Sequence, residues 1–213
     1  PLGSCTMKLN ATTQMMPLSW SELQNVHPYS LNYDDFNGYN KMLDDLSDRL
    51  LELTGFDAIN YQSNSGAMGE LSGLAVIKKY HEVNKNNEYA CRNIILIPES
   101  AHGTNYSSAK LAGFKIIKFP DSISLLEFKT LIESLNDELA GLMITYPTTY
   151  GLFNNEIKDI CKLIHDYGGL VYMDGANMNA QCGLTSPRDC GADICHLNLH
   201  KTFCIPHGGG GPG

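Results

Sequence analysis

Residues 170–175 read Leu-Val-Tyr-Met-Asp-Gly, four apolar or aromatic side chains followed by a carboxylate and a glycine. A short run with no polar position inside it is typical of a strand buried on both faces of a sheet. Because an unpaired carboxylate is costly at the end of such a strand, Asp174 either starts an ordinary Asp-Gly turn or belongs to a site. The stretch therefore indicates a parallel sheet with a polar group at one edge.

Similar apolar runs alternate with amphipathic stretches from Asn60 onward. The predicted strands are Ile94–Pro98, Phe114–Phe119, Leu142–Tyr146, Leu170–Met173 and Ala192–Leu197. The predicted helices are Ala67–Tyr80, Thr104–Ala112, Ser124–Leu135 and Asn155–Tyr167. Such alternation implies right-handed crossovers between neighbouring strands. We therefore predict an α/β fold, a mostly parallel sheet with helices on both faces.

The part of the chain before this alternation is organised differently. Asp35–Thr54 predicts one helix, and Gly55 lies just beyond its end, where a helix C-cap is expected. The predicted buried side of this helix consists of Leu43, Leu46, Leu50 and Leu53. We divide the chain into an N-terminal segment with its helix, residues 1–55, and a large domain, residues 56–213. The first residue, Pro1, and the closing glycine run lead us to expect a fragment of a longer protein.

Composition excludes several classes of function. The 213 residues carry a net charge of -8 with no basic stripe, which argues against nucleic acid or an anionic membrane as a partner. The apolar runs are too short to cross a bilayer, and no signal pattern opens the chain. Seven cysteines, an odd number with no Cys-x-x-Cys pair, suit a reducing compartment better than a disulfide framework.

A metal site is the first alternative for the polar residues near the end of the chain. His196 and His200 have the i, i+4 spacing of a helical zinc pair. The segment alternates like a strand, however, and four residues of strand span roughly 13 Å, too far for one metal ion. We therefore predict no metal.

Three polar residues each follow a predicted strand: His102, Asp174 and Lys201. In open parallel sheets, ligands bind outside the carboxyl ends of the strands, where these residues would meet. A partly desolvated lysine can form an imine with an aldehyde cofactor, and an aspartate can keep a ring nitrogen protonated. The alternatives are a solvated lysine, a plain turn and a loop histidine.

Ser63-Asn64-Ser65-Gly66-Ala67 precedes a predicted helix. Small residues at a helix N-terminus let backbone amides approach a phosphate, although simple N-capping by Ser65 explains the same pattern. From the residues alone we predict an α/β protein with a lysine–aspartate–phosphate site.

Several longer motifs resemble one known family, the glycine decarboxylases (P-proteins) of the glycine cleavage system. They span the chain in order: residues 3–10, Gly-Ser-Cys-Thr-Met-Lys-Leu-Asn; residues 63–67; residues 100–105, Ser-Ala-His-Gly-Thr-Asn; residues 172–180, Tyr-Met-Asp-Gly-Ala-Asn-Met-Asn-Ala; residues 196–203, His-Leu-Asn-Leu-His-Lys-Thr-Phe; and residues 206–213, Pro-His-Gly-Gly-Gly-Gly-Pro-Gly. Several motifs in this order are far more specific than any one of them.

The resemblance implies the large domain of a fold-type I enzyme that uses pyridoxal 5'-phosphate (PLP), with the small C-terminal domain absent from this chain. It implies that Lys201 holds the cofactor and that Asp174 pairs with the pyridine nitrogen. His102 and Ala176 would lie against the two faces of the ring, and Ser65, Gly66 and Ala67 would hold the phosphate. The residues expected to line the site are Asn198 and His200, with Ser4–Asn10 as a wall.

The resemblance also implies a reaction and partners. Glycine would lose carbon dioxide, and the aminomethyl group would pass to the lipoyl arm of H-protein, an oxidoreduction. The enzyme would be a homodimer or a heterotetramer with a partner P-protein subunit, cytoplasmic in a bacterium and in the mitochondrial matrix of a eukaryote. The alternatives are another fold-type I decarboxylase or aminotransferase, and a non-catalytic subunit, which would be expected to lack Lys201.

Three positions depart from the family pattern, namely Met68, Tyr106 and Tyr150. The first two changes should be mild. Tyr150 replaces a frequent histidine after Pro147-Thr148-Thr149, which puts a proton-transfer role at that position in doubt.

Overall fold

The computed structural model describes residues 12–27, 30, 33–84 and 91–203. Within these residues, five strands form one parallel sheet: β1 Ile94–Pro98, β2 Lys115–Phe119, β3 Leu139–Thr145, β4 Leu170–Gly175 and β5 Ile194–Leu197. Their order across the sheet is β2-β1-β3-β4-β5, and every neighbouring pair is parallel. The predicted α/β fold is confirmed.

The helices fall between and before these strands. They are α1 Thr12–Met15, α2 Ser21–Gln24, α3 Asn37–Thr54, α4 Gly66–Val83, α5 Gly103–Leu111, α6 Leu125–Leu135, α7 Ile157–Asp166, α8 Pro187–Cys190 and α9 Leu199–Thr202. Short 3-10 turns cover Met16–Ser19, Tyr33–Phe36, Asn136–Glu138 and Met178–Ala180. All four helices predicted from Asn60 onward are present, with ends shifted by up to three residues.

Alternate side chains of each strand point to opposite faces of the sheet, and each face has its own apolar core. On one face, Ile95, Met143 and Tyr172 pack beneath α4 and α5. On the other, Leu96 and Met173 lie in a larger core that includes side chains of α6, α7 and α8. Helices therefore cover both faces, as the sequence predicts.

Helix α3 differs in part from its prediction. Leu50 is buried and Leu46 and Leu53 are half-buried, but Leu43 is 39% exposed, so its predicted burial is wrong. Within the described residues α3 has few neighbours, which explains why its apolar side is only partly covered. The helix ends as predicted at Gly55, whose φ of 78° favours a residue without a Cβ.

Two sequence predictions concern residues outside the described ranges, namely Ser4–Asn10 and the glycine run from His207 to Gly213. In the part of the chain that the structure describes, no helix is long and apolar enough to cross a membrane. Five cysteines fall in the same ranges, and all of them are free: Cys91, Cys161, Cys182, Cys190 and Cys195.

Candidate functional site

The order of the strands locates the candidate site. The chain runs from β1 outward to β2 and then returns to the other side of β1 to form β3. The direction in which successive strands are added to the sheet therefore reverses between β1 and β3, while all the strands remain parallel. Crevices outside the carboxyl ends of strands at such a reversal are the usual ligand sites of open α/β sheets. His102 and Lys201 follow β1 and β5 at this edge, and Asp174 lies at the end of β4. The structure thus brings the strand-end residues to the same edge of the sheet.

Asp174 is the best-supported residue of the site. Its side chain is buried at the end of β4, on the face covered by α4 and α5. One carboxylate oxygen, Oδ1, accepts a hydrogen bond from the backbone N–H of Ala176 at 2.9 Å, and Oδ2 accepts one from Asn105 Nδ2 at 3.2 Å. These donors fix the carboxylate at the binding edge rather than in a solvated turn.

His196 supplies a further contact to the same carboxylate. Its Nε2 lies 3.3 Å from Asp174 Oδ1, and its Nδ1 lies 2.7 Å from the hydroxyl of Tyr172. Burial lowers the pKa of His196, against opposing effects of Asp174 and Asn198, so the ring is neutral near pH 7. A neutral ring that accepts from the Tyr172 hydroxyl carries its proton on Nε2, the nitrogen nearest to Asp174. The three side chains therefore lie next to one another in the order Tyr172, His196 and Asp174.

A second carboxylate lies beside these three side chains. Glu70, in α4, is 4% exposed, and the hydroxyl of Ser108 in α5 donates to its Oε2 at 2.7 Å. A ligand atom of Glu70, one of Asp174 and one of His196 all lie within 4.8 Å of one another. Burial raises the pKa of Glu70 to about 7, and the charge of Asp174 also raises it. Glu70 was not predicted from the sequence, because a glutamate inside a helix is normally solvated.

Glycines on α4 explain how a helical glutamate reaches the sheet. A Cβ at Gly73 would lie 2.3 Å from Cε2 of Tyr172, and one at Gly69 would lie 2.8 Å from Cβ of His196. Only glycine lets the helix approach these two side chains so closely. Gly69 and Gly73 flank Glu70 on one side of the helix, and this spacing is the signal from which its burial could have been predicted.

The predicted phosphate turn forms the N-terminus of α4. Ser65 is the N-cap, and its Oγ accepts a hydrogen bond from the backbone N–H of Met68 at 3.2 Å. A Cβ at Gly66 would lie 2.7 Å from Nδ2 of the buried Asn198. The turn and Asn198 therefore lie side by side, and Ala67 is exposed next to them. Capping by Ser65 is observed, and an anion would bind the remaining amides of the same turn.

The other predicted site residues occupy defined positions. His102 is the exposed N-cap of α5, and its Nδ1 accepts from the backbone N–H of Thr104 at 3.2 Å. Lys201 and the half-buried His200 lie in α9, directly after β5. Lys201 is exposed, so the partial desolvation expected from the sequence is not seen. The residues that follow Phe203 in the chain lie outside the described ranges.

Two expectations about neighbouring residues need comment. The strand that ends at Leu197 does not continue to His200, because Asn198 begins the helical turn of α9. The length of a continuous strand therefore does not separate His196 from His200, and the premise from which we predicted no shared metal is wrong. Tyr150, which departs from the family pattern, is 74% exposed in the turn after β3.

Comparisons with solved structures bear on the fold. The structure is similar to rice TDC with PLP, with a TM-score of 0.68 and 12% sequence identity over 92% of this chain and 48% of that one. It is also similar to the sphingosine-1-phosphate lyase Bpss2021 of Burkholderia pseudomallei, with a TM-score of 0.65 and 16% identity over 92% and 49% of the two chains. The chain thus has the same α/β fold as these two enzymes over most of its length.

Comparisons of sequence are much closer, although no family model matches the chain. Mitochondrial glycine dehydrogenase (decarboxylating) of Solanum tuberosum is 54% identical over 100% of this chain and 21% of its own length. The enzyme of the same name from Shewanella frigidimarina is 53% identical over 100% of the chain and 22% of its own length. The chain thus spans about a fifth of the curated relatives it matches. Over its whole length, it is homologous to one segment of glycine dehydrogenase (decarboxylating).

Proposed function

We propose that this chain is the cofactor-binding part of a PLP-dependent glycine decarboxylase. The enzyme would take glycine, release carbon dioxide and pass the aminomethyl group to the lipoyl arm of H-protein. The similarity to glycine dehydrogenase over the entire chain supports the substrate, and the fold supports the cofactor. The single observation that carries the proposal is the buried, hydrogen-bonded Asp174 at the same sheet edge as Lys201.

The residues present at this edge fit the cofactor. Oδ1 of Asn105 and Oγ1 of Thr145 are buried without a hydrogen-bond partner among the described residues, although each belongs to a side chain next to Asp174. Buried polar atoms of this kind are expected where a polar ligand completes the site. The N-terminus of α4, next to Asn198, adds backbone amides that suit a phosphate. A charged ring nitrogen, a phosphate and an aldehyde would each find a matching group.

The expected role of each residue follows from its position. Bound PLP supplies a protonated ring that accepts the electron pair released when the carboxyl group of glycine leaves. Asp174 would hold the proton on the ring nitrogen, and Lys201 would anchor the cofactor through its amine. Backbone amides at Ser65, Gly66 and Ala67 would bind the phosphate.

The remaining predicted residues would define the space around the ring. His102 and Ala176 would lie against its faces, and Asn198 and His200 would line the site. Because the aminomethyl group would pass to H-protein, the reaction also requires an open face on the enzyme where that protein can bind. A homodimer, or a heterotetramer with a partner P-protein subunit, would be the assembled enzyme.

Chemical trapping tests the cofactor site in the intact enzyme. Borohydride reduction fixes PLP to the lysine that holds it, and peptide mapping should find the phosphopyridoxyl group on Lys201. Lys201→Ala should lose the label, whereas Lys79→Ala, an exposed lysine on α4, should keep it. A label on Lys8 or Lys110 would overturn the assignment.

A second assay tests the substrate. The intact enzyme should release carbon dioxide from glycine only when lipoylated H-protein is present, and the aminomethyl group should appear on the lipoyl arm. Release of carbon dioxide from a larger amino acid, without H-protein, would indicate another fold-type I decarboxylase. Exchange of an amino group with a keto acid would indicate an aminotransferase.

A further inference from the structure

Glu70 is a buried carboxylate that the proposed chemistry does not use. It lies on α4, and among the described residues it forms no ion pair with a lysine, arginine or histidine. Among the described residues, its one side-chain hydrogen bond comes from the hydroxyl of Ser108, a neutral donor. A buried carboxylate without a cationic partner either holds a proton or lowers the stability of the fold.

The neighbours of Glu70 decide between these two states. Asp174, on β4, accepts hydrogen bonds from Ala176 and Asn105 and lies against His196, whereas Glu70 has the Ser108 hydroxyl alone. Two ionised carboxylates this close together, and out of water, repel each other strongly. The negative charge therefore belongs on Asp174, which accepts more hydrogen bonds, and the proton belongs on Glu70.

The other titratable groups around Glu70 do not reverse this order. His196, on β5, is neutral because burial lowers its pKa, and burial raises the pKa of Tyr172, on β4, well above its ordinary value. Lys201, on α9, is the one described cation whose charge favours ionised Glu70, and its influence is weaker than that of burial or of Asp174. The cluster thus carries one negative charge, not two.

We propose that Glu70 is a positioning residue that holds a proton beside Asp174, so that the single negative charge of the cluster stays on Asp174. A protonated Glu70 keeps a second anion away from the binding edge and leaves Asp174 as the group that a cationic ring meets. This inference rests on the proposed function for its link to PLP, but the protonation of Glu70 can be tested without any cofactor.

The pH dependence of stability follows from the sign of the shift. Burial raises the pKa of Glu70 to about 7, above the value of 4.5 for an exposed glutamate. The folded state therefore binds a proton more tightly than the unfolded state, and the stabilising effect of that proton is lost as the pH rises from about 4.5 through about 7. Glu70→Gln replaces the protonated acid with a neutral group of the same shape and has no proton to lose.

The first measurement is the thermal midpoint of the cofactor-free intact enzyme from pH 5 to pH 8.5. As the pH rises through neutrality, the thermal midpoint of the wild type should fall relative to that of Glu70→Gln. Glu82→Gln, on the exposed side of the same helix, should follow the wild type at every pH. Parallel curves for wild type and Glu70→Gln would overturn the inference, whatever the cofactor does.

The second measurement is the affinity for PLP across the same pH range. Glu70→Gln should bind PLP within about threefold of the wild type at pH 6, because both carry a neutral group there. Above pH 8 the wild type should bind PLP about tenfold more weakly than Glu70→Gln, because only the wild type gains a second negative charge. If Glu70→Gln bound PLP tenfold or more weakly than the wild type at pH 6, the ionised form of Glu70 would be the one that supports binding, which would contradict the proposal. Failure of the wild type to bind PLP would sink the proposed function and leave the stability result intact.

Ser108→Ala keeps the test decisive if Glu70→Gln does not fold. The Ser108 hydroxyl lowers the pKa of Glu70, so its removal should move the stability transition of the cofactor-free enzyme to higher pH. No movement, or movement to lower pH, would contradict the assignment of the transition to Glu70.

Discussion

The two faces of the sheet are built from the same strands but contain different groups. Beneath α6 and α7 lies an apolar core in which the described residues bury no carboxylate. Beneath α4 and α5, Asp174, Glu70 and His196 have ligand atoms within 4.8 Å of one another, and hydrogen bonds join Tyr172 to His196 and Ser108 to Glu70. Since buried charges lower stability unless they are matched, we infer that the first face mainly stabilises the fold and that the second holds the proposed ligand. The difference gives a way to separate folding from function by mutation.

The largest effect should come from Asp174→Asn on the binding face. The shape of the side chain is kept, but the negative charge opposite the ring nitrogen is lost, so kcat/KM for glycine should fall by about 1000-fold in the intact enzyme. Steady-state release of carbon dioxide measures this loss.

Asp193→Asn is the matched control at the opposite edge of the sheet. Asp193 accepts from the backbone N–H of Val171 and from His165, so this change should cost stability and leave kcat/KM within about twofold. An equal fall in activity for both variants would refute the separation of the two faces.

Phe128→Ala should damage the apolar face. Phe128 is 1% exposed and packs against Phe119 with ring centroids 5.1 Å apart. Loss of the ring should lower the free energy of unfolding by about 3–5 kcal/mol, measured by denaturant titration. The folded fraction should keep its affinity for PLP.

Leu126→Ala, on the exposed side of the same helix, should change stability by no more than about 0.5 kcal/mol. If Phe128→Ala weakened PLP binding as much as it weakened folding, the two faces would not be independent.

Gly73→Ala should have the smallest effect and sharpen the comparison most. The added Cβ would lie 2.3 Å from the Tyr172 ring, so α4 must move away from the sheet. Such overpacking costs about 1–3 kcal/mol of stability and should also weaken PLP binding, because α4 holds both Glu70 and the phosphate turn.

Gly38→Ala, in α3, has no heavy atom within 4 Å of its new Cβ, and it should gain up to about 1 kcal/mol. Loss of PLP affinity in Gly38→Ala, or full affinity in Gly73→Ala, would contradict the role given to the glycines of α4.

The fold could be predicted because burial follows directly from apolar periodicity. The prediction was least accurate where a residue type conflicted with its position. The predicted start of β3 at Leu142 is three residues late, because β3 begins at Leu139 and includes Gly141, where a Cβ would lie 2.0 Å from the carbonyl oxygen of Leu170. The glycine is required by the close pairing of β3 with β4, a contact between distant residues.

The candidate site was predictable only in part. Asp174 was singled out because a carboxylate directly after an apolar strand is costly in any fold. Glu70 and Ser108 were missed because their burial depends on how α4 and α5 pack together, which local sequence does not determine. His196 was considered only as a metal ligand, since its contact with Tyr172 lies across two neighbouring strands.

The packing of α4 on β5 also bears on the order in which the molecule forms. Helix α4 precedes all five described strands, yet it packs closely against β5, the last of them. During synthesis, which proceeds from the N-terminus, the helix face that carries Gly69 and Glu70 must wait for His196 to emerge before it is covered. The long stretch of chain between them makes this contact one of high sequence separation, which slows its formation. The sheet edge beneath α4 therefore cannot be covered until β5 has been made, and a nascent chain that stops before Ile194 leaves that face of α4 open.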